Sequence, residues 1–258
     1  PRKHDNCPRP TLYEEADNFR KNAQHDLATP LVNLRLAGNG KGKNSVLFVS
    51  MKNADALVEH WKETLPELMT DVHTLPTHED IHEAQHLRYK VFYEEMNAKP
   101  NDEMKKTRRD FDIFDEFCDH MIVRDMERVK NDQVVGAYRM LRDKVAKTIG
   151  GFYSAKEYSL NEFIDNLEGH NVCEIGRSCV HFEYRNNQII QLLWRGLAQY
   201  YAKYELTRIF GCASFPSCSL DNLSIPLSYL YHYHLAPDKL RVKALPNHFN
   251  SMNLIAKK

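Results

Sequence analysis

Apolar residues recur at helical spacing in two long stretches of the chain. In residues 81–96 they are Ile81, Ala84, Leu87, Val91 and Phe92. In residues 187–204 they are Ile189, Ile190, Leu193, Leu197, Tyr200 and Tyr201. An apolar period of about 3.6 residues is typical of an amphipathic helix, so the pattern predicts two helices that each bury one face. Similar spacing predicts further helices at 54–65 and 227–235.

Shorter runs rich in β-branched and aromatic residues predict strands. They lie at residues 45–51, 120–125, 134–141, 174–180, 206–215 and 240–245. The polar segment between the second and third runs is typical of an antiparallel hairpin loop. The order of elements predicts an α/β fold with a mixed sheet. We assign residues 45–258 to a single domain and residues 1–44, which are polar and lack periodicity, to a partly ordered N-terminal arm.

Charge and cysteine spacing restrict the function classes. The 258 residues carry a formal net charge of zero, which argues against nucleic acid as the main partner. The sequence has no apolar run long enough for a membrane span and no leader after Pro1, so we expect a cytoplasmic protein. The six cysteines form no C-x-x-C pair and no zinc spacing. We therefore expect reduced thiols and no bound metal.

One predicted strand carries two charges, in the sequence EIGRSCV. Glu174 and Arg177 are three residues apart, so a regular strand would point them to opposite faces. Gly176 lies between them, and glycine inside a strand often marks a bulge, which would bring both side chains to one side. Each buried charge needs a partner. A structural ion pair between the two residues and a reactive site both remain open.

The segment after this strand is a polar turn that leads into the second long helix. It reads HFEYRNN, and it contains Arg185. A helix N-terminus presents free N–H groups and the positive end of the helix dipole, which together favour phosphate or pyrophosphate. Arg185 would add positive charge to such a site.

Seven segments form an ordered set: LRYKVFYEEMNA, DFDIFDEFCDHMIV, VVGAYRML, GGFYSAKEYSL, EIGRSCVHFEYR, LLWRGLAQY and GCASFPS. Over residues 68–258 they resemble the ornithine-lipid-forming N-acyltransferases. That family is related to the N-acyl-homoserine-lactone synthases and belongs to the GNAT-like superfamily. The resemblance implies a GNAT-like fold, with a mixed, mostly antiparallel central sheet flanked by helices.

The resemblance also implies an activity. A 3-hydroxyacyl chain would pass from the phosphopantetheine of acyl carrier protein to the α-amino group of ornithine, the first step of ornithine lipid synthesis. The amine would attack the thioester directly, so no bound cofactor is expected. Acyl carrier protein would be the partner, docked by the basic residues among 105–109, and the amphiphilic product suggests peripheral contact with the inner membrane face. Other amino acid acceptors, and a non-catalytic acyl- or carrier-binding relative, stay open.

The family's motifs match particular positions here. The acid and arginine at the reaction centre would be Glu174, as general base, and Arg177, which orients it. The residues that would bind the acceptor are Arg88, Phe92, Asp112, Asp115 and Arg139. The residues that would bind the pantetheine arm are Val180, His181, Arg185 and Asn187. For each charged residue, a purely structural ion pair is the alternative.

Roles within this set follow from chemistry and spacing. Asp112 and Asp115 are three apart, so one helical turn would place both on one side, where they could bind the two ammonium groups of ornithine. Arg139 would hold the acceptor carboxylate. Cys179 lies among apolar strand residues, and direct attack needs no thiol nucleophile.

Two features depart from the family pattern. The family continues beyond the segment that ends at Lys258, so we expect a missing C-terminal portion. The turn before the long helix reads YRNNQ and lacks the glycines of the general GNAT phosphate loop. Recognition of pantetheine must therefore differ from that in acetyl-CoA enzymes, which favours a carrier-protein donor.

Overall fold

The computed structural model describes residues 31–38, 44–49, 78–185, 188–215 and 219–257. Within these residues the main sheet has seven strands. Their bounds are β1 Leu31–Gly38, β2 Asn44–Val49, β3 Asp119–Arg124, β4 Val134–Arg142, β6 Val172–Val180, β7 Arg208–Ser214 and β9 Phe249–Asn250. Two short strands, β5 Tyr158–Ser159 and β8 Lys243–Ala244, pair separately. The order across the main sheet is β3-β4-β6-β7-β2-β1-β9.

Helices flank the sheet. Those of the described residues are α1 His78–Tyr89, α2 Asp102–Thr107, α3 Asp143–Thr148, α4 Asn161–Asp165, α5 Gln188–Lys203 and α6 Leu220–Tyr233. A π-helical turn, Lys90–Glu95, continues α1. Short 3-10 turns lie at Ile113–Glu116, Tyr153–Lys156, Phe182–Tyr184, Asp238–Leu240 and Pro246–His248. Among the described residues, each helix is too short or too polar to cross a bilayer.

Strand pairing confirms the predicted mixed, mostly antiparallel sheet. β3 and β4 form the expected antiparallel hairpin, and β6 pairs with β7 in parallel. The parallel pairing covers only Val172–Glu174 of β6. Gly211 of β7 lies just past this point, where a Cβ atom would collide with the carbonyl oxygen of Ile175. The second half of β6 is thereby left with one unpaired edge among the described residues.

The core lies on both faces of β4, whose residues Val134–Leu141 are all buried. One face packs against α5, with Leu193 and Tyr200 fully enclosed. The other face packs against Leu87 of α1 and Val91 of the π-helical turn that follows it. Both helices match the apolar stripes of the sequence, because those stripes are the faces that exclude water.

Several boundaries differ from the sequence expectation. β1 lies within residues 1–44, and its pairing with β2 makes it part of the sheet rather than of an arm. The charged segment near residue 100 contains α2, which begins where the Asn101 side chain accepts a hydrogen bond from Met104 N at 2.8 Å. The predicted strand 240–245 is a strand only at β8, since its pairing partner β5 has two residues. The predicted helix 54–65 lies outside the described residues.

Candidate active site

The bulge expected near Gly176 is present in β6. The register between β4 and β6 passes from Arg139 opposite Gly176 to Ala137 opposite Cys179, so Arg177 and Ser178 together face Tyr138. The residue with left-handed backbone is Arg177, with φ of 52°. That conformation costs about 1–2 kcal/mol for a residue with a side chain. The contacts of the Arg177 guanidinium offset this cost, and they turn it to the same side as Glu174.

Three arginines and three aspartates form a closed ring of ion pairs, called here the charge ring. In order around the ring they are Arg88, Asp115, Arg139, Asp112, Arg177 and Asp110. Each arginine bridges two aspartates, and each aspartate bridges two arginines. The ring joins α1, the segment around the 3-10 turn Ile113–Glu116, β4 and β6, so it assembles only when all four meet.

One half of the charge ring is deeply buried. Arg88 donates from Nε to Asp110 Oδ2 at 2.8 Å and from Nη2 to Asp115 Oδ2 at 2.7 Å. Arg139 Nη1 donates to Asp115 Oδ1 at 2.9 Å. The side chains of Arg88 and Asp110 are each 1% exposed. These buried side chains hydrogen-bond one another, so their role is to stabilise the structure of the site.

The other half of the charge ring opens towards solvent. Asp112 lies 2.6 Å from Arg139 Nη1 and 3.2 Å from Arg177 Nη2, and its side chain is 19% exposed. The Arg177 side chain is 22% exposed. Its Nε lies 3.1 Å from Asp110 Oδ2, at an angle that forms no hydrogen bond, so this atom is buried without a hydrogen-bond partner among the described residues. Asp112 and Arg177 are therefore the ring members that a small molecule reaches most easily.

The local sequence sets the geometry of the paired aspartates. Asp112 is the N-cap of the 3-10 turn, and its Oδ1 accepts from Phe114 N at 2.9 Å. Asp115 reaches back, and its Oδ2 accepts from Asp112 N at 3.2 Å. This is a capping box with aspartate in place of glutamate. The prediction that one turn places both carboxylates on one side is confirmed.

The charge ring favours the ionised form of two of its carboxylates, Asp115 and Asp112. Burial alone would raise the pKa of Asp115, but the ion pairs with Arg88 and Arg139 outweigh burial and hold the pKa well below its usual range. The pKa of Asp112 is also lowered, since the hydrogen bond and charge of Arg139 outweigh its burial. The three arginines and three aspartates balance, so the ring is electrically neutral.

Glu174 lies beside the charge ring and behaves differently. Its side chain is 5% exposed, and burial raises its pKa even though three hydrogen bonds oppose that shift. Oε2 accepts from Tyr153 N at 2.7 Å, and Oε1 accepts from Ser154 N at 2.8 Å and from Ser154 Oγ. Among the described residues Glu174 has no arginine within ion-pair distance. The Glu174–Arg177 ion pair that the sequence left open is therefore not formed.

Tyr153 connects Glu174 to the charge ring. Its backbone binds Glu174, while its hydroxyl lies 3.4 Å from Arg177 Nη1. Its ring packs edge-on against Phe114, with centroids 5.5 Å apart. Sequence reasoning missed Tyr153, Ser154 and Asp110, because their roles come from partners far along the chain. The aspartate-rich segment DFDIFDEF was the only signal near Asp110.

A pocket of about 500 Å³ lies between the π-helical turn and the second half of β6. It is lined by Val91, Glu95, Met96, Ser178, Cys179, Val180 and Arg185. Arg185 Nη2 pairs with Glu95 at 2.6 Å, and Arg185 Nε donates to the carbonyl of Val180 at 3.1 Å. Two predicted donor-site residues, Val180 and Arg185, therefore share this pocket.

The other predicted donor-site residues are placed differently. His181 does not line the pocket, because its ring lies against the 3-10 turn Phe182–Tyr184, where Nδ1 accepts from Glu183 N at 3.4 Å. Burial and nearby Arg128 lower the pKa of His181, which keeps the ring neutral. Asn187 lies outside the described residues. Phe92 packs against the cluster that joins α1 to β4.

The described cysteines are free thiols in or beside the core. Cys179 is 5% exposed, and burial raises its pKa to about 12. A thiolate is therefore disfavoured at this position at neutral pH. This agrees with the interpretation of Cys179 as a structural residue.

The sequence of this chain is similar to those of known proteins. The acetyltransferase (GNAT) domain family matches residues 87–195, which confirms the expected GNAT-like fold. An L-ornithine N(alpha)-acyltransferase from Rhizobium meliloti (strain 1021) is 40% identical over 178 residues, which are 68% of this chain and 60% of that protein. A protein of the same name from Agrobacterium fabrum is also 40% identical, with 61% of its length covered. The chain thus spans about three fifths of the length of these curated relatives.

A third relative is covered more fully. The L-ornithine N(alpha)-acyltransferase of Rhodobacter capsulatus is 38% identical over 181 residues, which are 69% of this chain and 68% of that protein. The matched GNAT region contains the end of α1, the strands β3, β4 and β6, and all six residues of the charge ring. On this similarity, the chain belongs to the L-ornithine N(alpha)-acyltransferase family.

Proposed function

We propose that this chain transfers a 3-hydroxyacyl group from acyl carrier protein to the α-amino group of ornithine. The names of the relatives support the acceptor and the type of reaction. The structural observation that carries the proposal is the position of Glu174. This carboxylate has a raised pKa and lies on the same side of β6 as the accessible members of the charge ring, Asp112 and Arg177.

The reaction requires a neutral amine near a thioester carbonyl. An α-amino group has a pKa of about 7.7–8.0, so its proton must be lost before attack. Glu174 accepts this proton, directly or through a water molecule, and its raised pKa makes it a better base than an exposed glutamate. The amine nitrogen forms a bond to the acyl carbon, the carbon–sulfur bond breaks, and the pantetheine thiolate leaves and takes up a proton.

Ornithine carries a second ammonium group, on its side chain. We propose that the accessible carboxylate of Asp112 binds this group. Arg177 and Arg139 hold this carboxylate from two sides, so its position is set before substrate binds. Preorganisation of this kind lowers the cost of placing the acceptor. In this proposal Arg88, Asp115 and Arg139 act indirectly, because their polar groups bind one another.

The acyl donor enters by the pocket along β6. The second half of this strand has an edge that β7 does not pair with, so its backbone groups can bind an extended pantetheine arm. Val180 and Arg185 line that route. No bound cofactor takes part, since the donor brings the acyl group on its own phosphopantetheine. We further propose a cytoplasmic enzyme with peripheral contact at the inner membrane face.

Acyl carrier protein would dock near α2. Lys105, Lys106, Arg108 and Arg109 form a basic group there, which suits an acidic partner. Lys105 pairs with Asp102 at 2.8 Å and Arg108 with Glu94 at 2.5 Å. The positive charge available to a partner therefore comes mainly from Lys106 and Arg109.

Mass spectrometry tests the proposed function. Purified protein is incubated with 3-hydroxyacyl carrier protein and a mixture of amino acids. Acyl-ornithine is the expected product. Formation of another acyl amino acid would support the proposed reaction but show that the acceptor is not ornithine. Carrier binding without any product would contradict an enzymatic role for this chain.

Replacing Arg177 with glycine is expected to separate activity from stability. Glycine adopts the left-handed backbone of this position without strain, and Asp110 and Asp112 each keep another arginine. The midpoint of urea unfolding should therefore change little. Loss of a charged hydrogen-bonding group beside the acceptor should lower kcat/KM roughly tenfold to hundredfold.

The matched control is Asn131→Gly, since Asn131 also has left-handed backbone, with φ of 70°, in the loop between β3 and β4. It should leave kcat/KM unchanged. Equal activity of Arg177→Gly and wild type would exclude a role for the guanidinium in the reaction.

A further inference from the structure

Three cations surround the Phe114–Tyr153 aromatic pair. The centre of the Arg139 guanidinium lies 5.4 Å from the Tyr153 ring centroid, and that of Arg177 lies 5.0 Å from it. The ammonium of Lys156 lies 4.8 Å from the Tyr153 centroid and 4.9 Å from the Phe114 centroid. Cation–π contacts within about 6 Å are attractive, so the aromatic pair gathers positive charge at the open half of the charge ring.

Within the described part of the chain, one of these cations, Lys156, lacks a carboxylate partner. Arg139 and Arg177 each face two aspartates of the charge ring. Lys156 has no carboxylate within ion-pair distance among the described residues, and it is exposed. Since the charge ring is neutral in itself, Lys156 adds a net positive charge at its entrance.

The backbone that carries Lys156 is tied to the proposed base. Lys156 is the last residue of the 3-10 turn that begins at Tyr153. Glu174 accepts hydrogen bonds from the first two N–H groups of that turn, those of Tyr153 and Ser154. The backbone of Lys156 is thus in the same turn that binds the Glu174 carboxylate, and two aromatic rings contact the Lys156 ammonium.

We propose that Lys156 binds the α-carboxylate of the amino acid acceptor. This inference rests on the proposed function and deepens it. The carboxylate and the reacting amine of an α-amino acid share one carbon atom, so a cation near the base fixes the amine near it as well. Arg139, for which the sequence suggested this role, is 5% exposed and already bonded to Asp112 and Asp115.

The test compares an acid with its amide. Wild type and Lys156→Met are assayed with ornithine and with ornithinamide, in which the carboxylate is replaced by a neutral amide. Lys156→Met should lower kcat/KM for ornithine roughly tenfold to hundredfold, mainly through KM, because it removes a charge-assisted hydrogen bond. It should leave kcat/KM for ornithinamide nearly unchanged, so the preference for the acid should largely disappear.

Lys147→Met serves as the matched control, because Lys147 is an exposed lysine on α3 with 71% of its side chain accessible. It should behave as wild type with both substrates. An equal loss with ornithine and ornithinamide in Lys156→Met, or no loss with either, would overturn the inference and leave the proposed function standing.

Calorimetric titration with ornithine and ornithinamide tests the carboxylate site independently of acyl transfer, so this site can be supported even if the proposed function fails. Tighter binding of the acid than of the amide by wild type, abolished in Lys156→Met, would support the carboxylate site even if no acyl transfer occurred. Absence of any such difference would overturn it.

Discussion

Replacing Glu174 with glutamine is expected to reduce kcat for acyl transfer roughly 10²–10⁴-fold, the contribution typical of a positioned general base. Glutamine has nearly the same shape but cannot accept a proton. The change is measured by following release of the carrier-protein thiol at saturating ornithine. Because Glu174 also holds the Tyr153–Lys156 turn, urea unfolding of the variant is recorded alongside. A folded variant that keeps wild-type kcat would exclude Glu174 as the base.

A second variant distinguishes a base from an anchor. The hydroxyl of Ser154 donates to Glu174 and thereby lowers its pKa. Ser154→Ala removes that donor, so the pKa of Glu174 should rise further. A base works only when it is deprotonated, so the increase of kcat/KM with pH that belongs to Glu174 should move to higher pH. The limb that belongs to the free amine should stay near pH 8. If the pH profile of Ser154→Ala coincides with that of wild type, Glu174 is not the base and only stabilises the Tyr153–Lys156 turn.

Replacing Arg88 with methionine is expected to lower the free energy of unfolding by about 3–5 kcal/mol. Methionine fills much of the same volume, yet it leaves Asp110 and Asp115 buried with fewer cationic partners. Uncompensated buried charge is far more costly than the loss of an exposed pair. The measurement is equilibrium unfolding in urea at neutral pH, analysed from the midpoint and slope.

Arg108→Met is the matched control for this experiment. Arg108 forms one ion pair, with Glu94, and its side chain is 56% exposed. Exposed pairs contribute at most about 1 kcal/mol, so this variant should unfold close to wild type. If both variants lose the same small amount, the charge ring does not stabilise the fold in the way its burial implies.

Much of the fold follows from local pattern. The sequence shows the apolar stripes of α1 and α5 and the hairpin of β3 and β4. These patterns are visible because apolar faces are buried away from water whichever element covers them. The spacing of Asp112 and Asp115 likewise predicts that both carboxylates lie on one side of a turn. Shorter elements such as α2 and β8 were not predicted in full, since a cap or one pairing partner decides their bounds.

The candidate site could be predicted only in part. The resemblance to the family identified five of the six members of the charge ring, because its motifs match Arg88, Asp112, Asp115, Arg139 and Arg177. It could not name the partners. Arg88 meets Asp110 across 22 positions, and Arg177 meets Asp112 across 65. Charge alone makes any arginine a candidate for any aspartate, and the choice among them depends on how the strands and helices are brought together.

Residue types and spacing by themselves predicted the α/β class, the two main amphipathic helices and a bulge near Gly176. The order of the seven motifs indicated the family by resemblance. Only the tertiary structure decided that Arg177 takes the left-handed backbone and that Glu174 binds the Tyr153 turn instead of an arginine. It also decided that Lys156 has no carboxylate partner among the described residues. The physical reason is that secondary structure responds to neighbours within a few positions. The ionisation and partner of a buried charge respond to every group that folding brings around it.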